Sequence, residues 1–222
     1  TAAQAIEVAN PDLTDLTKGT AQDGLPVPSL VKQLKAIAPG EAVHMGATSQ
    51  DVVDTTTVLV LREASFLITN RLIKLEKLLK ELEERFGDEP LMGRTRMQAA
   101  TLITVRDRVL PWRLPLAEHR VRLDQIRPRI ERVQIGGASG DRKALRNKAD
   151  EVVADVANQL DLAPTNKAWH TMRDGIVEYA SLLSMISGTL GKIGQDIALM
   201  AQQGISAIAI SGGGTSSAMP HK

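Results

Sequence analysis

The chain has 222 residues, of which 43% are apolar but only 2% aromatic, so its core must be built from Leu, Ile, Val and Ala. That favours close-packed helices over a β-sandwich, where aromatic and β-branched residues dominate. A formal net charge of +1 gives no general argument for a nucleic-acid or membrane partner, and the absence of cysteine removes disulfides, thiolate metal sites and cysteine nucleophiles and suits the cytoplasm.

Residues 1–50 read as an irregular region of short helices. Pro11, Gly24-Leu-Pro26-Val-Pro28 and Pro39-Gly40 punctuate it, and Ser29 is placed to cap a helix over 30–37. From Asp51 the pattern changes. Ile68, Leu72, Leu75, Leu79, Leu82 and Phe86 recur at alternating steps of four and three, a heptad-like stripe on one long helix that Gly87-Asp-Glu-Pro90 ends. Residues 91–98 read as a loop leading into a second helical region that runs to about Arg132, with kinks or breaks expected at Pro111, Pro115 and Pro128. Gly136-Gly-Ala-Ser-Gly140 is a loop, and 141–160 an amphipathic helix. A last long helix over about 172–203 carries Ile176, Tyr179, Leu183, Ile186, Leu190, Ile193, Ile197 and Met200 on one face, with Ala180, Gly188, Gly191 and Gly194 among them. Small residues there let neighbouring backbones approach closely. The expected organisation is an N-terminal helical domain, 1–50, followed by an all-α long-helix bundle, 51–222, extended by subunit association. A start without Met and a stop at Lys222 suggest a fragment of a longer protein. No apolar run approaches a membrane span, no signal-peptide pattern opens the chain, and no solenoid repeat is visible.

Four segments can carry chemistry. The tail, Ser211-Gly-Gly-Gly-Thr-Ser-Ser-Ala-Met-Pro-His-Lys222, combines a glycine run, the hydroxyls of Ser216 and Ser217, and the charge of Lys222. It reads either as a passive polar tail or as a mobile loop whose N–H groups and lysine receive an anion. In His44-Met-Gly-Ala-Thr-Ser-Gln-Asp-Val-Val-Asp-Thr55, the oxygens of Thr48, Ser49 and Asp51 can simply cap the first long helix. Gly93-Arg-Thr-Arg-Met-Gln98 is on its own a polar loop. Trp169-His-Thr-Met-Arg-Asp174 reads as a helix start capped by Thr171, with His170 lacking any partner at a motif spacing. His44, His119, His170 and His221 are isolated, and neither a dinucleotide fingerprint nor a P-loop is present. No metal and no cofactor are therefore expected.

The tail resembles the Ser-Ser-x-Met-Pro-x-Lys loop of the fumarase/aspartase superfamily, whose members continue with x-Asn-Pro. The 44–55 segment is similar to the Thr-Ser-x-Asp-x-x-Asp-Thr block of its adenylosuccinate lyase branch, and 93–98 to its Gly-Arg-Thr-x-x-Gln block. Where the lyases, and the cycloisomerase branch too, have His after that Thr, this chain has Arg96, a poor general acid but a bidentate anion ligand. Leu25-Pro-Val-Pro-Ser-Leu-Val31, Gly136-Gly-Ala-Ser-Gly140 and Trp169-His-Thr-Met-Arg look like those of bacterial 3-carboxy-cis,cis-muconate cycloisomerases, the lactonising enzymes of protocatechuate breakdown. The resemblance spans essentially the whole chain. It implies a long-helix bundle truncated at both ends and a cofactor-free lactonisation in a homotetramer with sites shared between subunits. It also implies Ser216 as the proton-transfer residue, with Lys222 and His170 beside it, and Thr48, Ser49, Thr95, Arg96, Gln98 and Ser217 on a small polycarboxylate. The alternatives are an adenylosuccinate lyase-type β-elimination and a non-catalytic helical scaffold.

Overall fold

Three long helices dominate the protein: α4 (Ser49–Phe86), α5 (Val105–Ile130) and α7 (Asp174–Met200). The computed structural model describes residues 1–38, 43–212 and 216–219. Ahead of the long helices come α1 (Ala2–Glu7), α2 (Leu13–Asp23) and α3 (Val27–Ile37). Between α5 and α7 lie a 3-10 segment (Lys143–Lys148) and α6 (Ala149–Gln159). By backbone contacts the chain divides into two compact units, 1–66 with 125–179, and 67–124 with 180–222.

The first unit packs Val58 of α4 against Val133, Val153, Ala157 and Leu162, with Leu59, Ile135, Val156, Leu160 and Trp169 around them. The core is aliphatic, as the composition requires. Arg62 of α4 donates to the carbonyls of Leu160 and Asp161, which closes the end of α6. Near the N-terminus Ser29 does not cap a helix. α3 begins two residues earlier, at Val27, and the Ser29 hydroxyl donates to Asp15 instead. The helix expected over 141–160 is also shorter, because Arg146, inside the 3-10 segment, leaves helical geometry (φ 52°, ψ −135°) and α6 begins only at Ala149.

The second unit is held by Leu72 and Leu79 of α4, by Val109, Trp112, Leu116 and Leu123 of α5, and by Leu182, Ile186 and Ile193 of α7, all buried. The α4 stripe is buried at Leu72 and Leu79, but Leu82 and Phe86 face outward. Glu83 turns inward in their place, because Arg106 and Arg113 both donate to its carboxylate, at 2.9 and 3.1 Å. On α7 the glycine face is open, with nothing within 4 Å of a Cβ built at Gly188, Gly191 or Gly194.

Two further expectations are corrected here. The segment 91–98 is not a loop but most of a β-hairpin, β1 (Pro90–Thr95) paired antiparallel with β2 (Gln98–Thr104). Nor do the prolines break α5, which runs unbroken through Pro111, Pro115 and Pro128. Val109, Trp112, Leu116, Leu123, Ile126 and Ile130 lie on one stripe of α5 and are all buried, with buried His119 filling the gap. Each such side chain contributes about 1.5–3 kcal/mol on burial, against about 3 kcal/mol for each interior proline. Six burials match three prolines at the low end of that range and exceed them above it, so the helix persists.

Candidate functional site

In the first unit the segment before α4 and the 136–140 loop converge on one buried carboxylate, and Gln134 links the segment before α7 to it. Asp51, 4% exposed, accepts four hydrogen bonds. Oδ1 takes Gln134 Nε2 at 3.0 Å and the Gly136 N–H at 2.8 Å. Oδ2 takes the Gly137 N–H at 2.9 Å and the Thr48 N–H at 2.9 Å. The last contact is one half of a capping box, with Asp51 reaching back to the residue ahead of the helix. Asp51 does therefore cap α4, but it also gathers a loop from 85 residues further on in sequence. Thr48 and Ser49 are half-buried, and their hydroxyls carry no hydrogen bond among the described residues.

The glycine loop is required to lie this close. A Cβ on Gly136 would stand 2.7 Å from the Ala168 Cβ. Gly140 has φ +73°, and a Cβ there would stand 3.1 Å from His170 Cε1. Arg142 secures the loop's far end, its Nε donating to the Ile135 carbonyl and its Nη2 to Thr165 Oγ1. His170, half-buried, reaches Gln134 Nε2 through its Nδ1 at 3.3 Å. One continuous chain of bonds thus joins Thr48, Asp51, Gln134 and His170. Beside it, Arg173 donates to Asp54 Oδ1 at 2.8 Å and lies over the Trp169 ring, 5.6 Å from its centroid. Gln50 donates to the same Oδ1, while Asp54 Oδ2 is buried without a partner among the described residues.

In the second unit the hairpin sets out Thr95 and Gln98 as the pair that closes the turn, with Arg96 and Met97 at its tip. Arg96 (φ 47°) and Met97 (φ 63°) both occupy the left-handed region, as a type I′ turn demands, although neither is the glycine or asparagine that turn prefers. All four residues are exposed. In the tail, Ser216 Oγ accepts the Met219 N–H at 3.0 Å, so this hydroxyl stabilises a turn, and Ser217 is exposed. Lys222 lies outside the described residues, as do 213–215. The structure therefore brings Thr48, Ser49 and His170 into one unit and Thr95, Arg96, Gln98, Ser216 and Ser217 into the other. Among the described residues there is no group of three or more His, Asp or Glu able to hold a metal ion, and no helix long and apolar enough to cross a membrane.

Sequence reasoning missed Gln134. It stands next to the glycine loop but belongs to no quoted block, and nothing in its spacing marks a side chain that is 1% exposed and fully bonded.

The sequence family described as "Lyase" matches residues 3–222. The chain belongs to this lyase family. Among its relatives is the 3-carboxy-cis,cis-muconate cycloisomerase of Pseudomonas aeruginosa, 42% identical over 93% of this chain and 47% of that protein. Among solved structures, the 3-carboxy-cis,cis-muconate lactonizing enzyme of Pseudomonas putida superposes with a TM-score of 0.87 at 42% identity, covering 92% of this chain and 49% of that one. A fumarate lyase from Mesorhizobium sp. BNC1 gives a TM-score of 0.87 at 35% identity, with the same coverages of 92% and 49%. The lyase-family chain thus spans about half the length of the relatives it matches. Its mostly helical fold is of the fumarase/aspartase type.

Proposed function

We propose that the protein is a cofactor-independent cycloisomerase that closes 3-carboxy-cis,cis-muconate to carboxymuconolactone in aromatic catabolism. The observation that carries this reading is the 42% identity to the Pseudomonas aeruginosa cycloisomerase over 93% of the chain. The Trp169-His-Thr-Met-Arg block, which resembles that of the cycloisomerases, favours it over an adenylosuccinate lyase-type elimination.

One substrate carboxylate oxygen adds to a C=C bond conjugated with a second carboxylate. A C–O bond forms, the π pair moves into the second carboxylate as an enediolate, and the α-carbon then takes a proton to complete the C–H bond. The chemistry needs fixed donors and positive charge at the enediolate, a proton donor at carbon, and a held nucleophile. Ser216 gives the proton, with its pKa lowered by Lys222 and the N–H groups of the tail. Thr48, Ser49, Thr95, Arg96, Gln98 and Ser217 orient the carboxylates, and His170 serves in anion binding or proton transfer. The full-length protein is a cytoplasmic homotetramer in which different subunits complete each site. The open glycine face of α7 supports this, since such a face suits the close approach of another helix.

The test is direct. Lactonisation interrupts the conjugated diene, so the full-length protein should bleach the near-ultraviolet absorbance of 3-carboxy-cis,cis-muconate without added metal or nucleotide. Turnover of adenylosuccinate with no effect on muconates would overturn the proposal, and so would inactivity on both.

A further inference from the structure

Gln134 has every polar group of its side chain and backbone committed. Its backbone N–H donates to Thr55 Oγ1 at 3.0 Å and its carbonyl accepts from the same hydroxyl at 3.1 Å. Its Oε1 accepts the Trp169 N–H at 2.7 Å. A backbone N–H can only donate, so this contact fixes which end of the amide is oxygen. The nitrogen end is then the one that lies 3.0 Å from Asp51 Oδ1 and 3.3 Å from His170 Nδ1. An amide nitrogen has two hydrogens and no available lone pair. Asp51 takes one hydrogen, and the other is directed at His170. A proton on Nδ1 would point straight at it.

We infer that Gln134, anchored by Asp51, is a positioning residue that locks His170 in the neutral tautomer with its proton on Nε2. His170 Nδ1 accepts, and Nε2 is left as a donor with no partner among the described residues. An imidazole held this way already carries its proton on the free nitrogen, so it is not a general base there. It offers an uncharged N–H to a carboxylate oxygen of the substrate. This deepens the proposed function, on which the identity of the ligand rests, and resolves His170 toward anion binding rather than proton transfer. Gly140 belongs to the same device, since a Cβ at that position would press on the imidazole edge at Cε1.

The tautomer can be read without any substrate. The intact protein, 15N-labelled only at its histidine imidazoles, is studied by magic-angle-spinning NMR at about pH 8, above the ordinary histidine pKa of about 6.5. The His170 signals are assigned by their loss in His170→Gln. The expected wild-type result is a pyridine-like Nδ1 and a pyrrole-like Nε2. Gln134→Met should move both signals toward the average of two tautomers, and Gln134→Glu should place the proton on Nδ1. A wild-type Nδ1–H form, a wild-type mixture, or an unmoved tautomer in Gln134→Met would overturn the inference. Should either variant fail to fold, the wild-type spectrum still decides. With muconate as substrate, Gln134→Met should raise KM about tenfold with a smaller change in kcat, the mark of lost ground-state binding. A selective fall in kcat at unchanged KM would refute the anion-binding role. A protein inactive on muconate but showing the Nε2–H tautomer would sink the proposed function and leave the positioning role standing.

Discussion

Asn at position 51 keeps the size and shape of Asp51 but turns one of its two oxygens into an NH2 group. Each oxygen now receives two N–H donors, Gln134 Nε2 and Gly136 on one, Gly137 and Thr48 on the other. Whichever way the new amide turns, two donors lose their acceptor and face another donor. An unsatisfied buried polar group costs about 1–3 kcal/mol, so Asp51→Asn should destabilise the protein by about 2–6 kcal/mol. That is a large share of a typical total of about 5–15 kcal/mol. Urea unfolding of both proteins at one fixed protein concentration measures it, since assembly makes apparent stability depend on concentration. Exposed Asp124 supplies the control, and Asp124→Asn should stay within about 0.5 kcal/mol of the parent. A loss below about 1 kcal/mol for Asp51→Asn would show that the four-donor arrangement does not organise this unit.

Three other outcomes are expected. Met97→Gly relieves a left-handed conformation that costs an L-residue about 1–2 kcal/mol, so it should raise the thermal midpoint; an unchanged or lower midpoint would refute the strained-turn reading. Burial pushes the Asp196 carboxyl up, but hydrogen bonds from Lys192 and Trp112 and the charge of Arg108 outweigh it and leave it below its ordinary value of 3.8. Its stabilising effect is therefore complete above that value and is lost as the pH falls through the lower folded value; Asp196→Asn should flatten the decline of the urea midpoint between about pH 5 and pH 2, and an unaltered slope would refute the assignment. If the full-length protein has the proposed activity, Ser216→Ala should lower kcat by about 10²–10⁴ and Ser217→Ala by less, while near-normal kinetics of the former would remove Ser216 from proton transfer.

The long helices were legible because their information is local. The stripe that begins at Ile68 and the apolar face from Ile176 repeat at helical spacing, and both elements formed within a few residues of their expected bounds. The hairpin was not legible, since Arg96-Met97 lacks the glycine or asparagine that announces a two-residue turn and its strands carry little alternation. The continuity of α5 was hidden for another reason. Proline is a strong local signal, and the burial that overrides it appears only when the chain has folded. At the candidate site, block resemblance pointed to Thr48, Ser49 and His170. The side chains that connect them, Asp51 and Gln134, meet across 83 residues of sequence, a pairing that no single segment encodes.

The tryptophans give the two units separate voices. The chain has only two, Trp169 in the first unit and Trp112 in the second. Trp169 lies beneath the Arg173 guanidinium and donates its indole N–H to the Val133 carbonyl. Trp112 donates to the Asp196 carboxylate, with the Lys192 ammonium 5.9 Å from its ring centroid. A charged neighbour shifts indole emission, so each ring reports the integrity of its own surroundings. Replacing one tryptophan with Phe leaves a protein whose fluorescence follows a single unit. The two single-tryptophan proteins then read out cooperativity directly: coincident denaturation curves mean that the two units melt together, and separated curves mean that each unit melts on its own, with α4, α5 and α7 parting at the boundary.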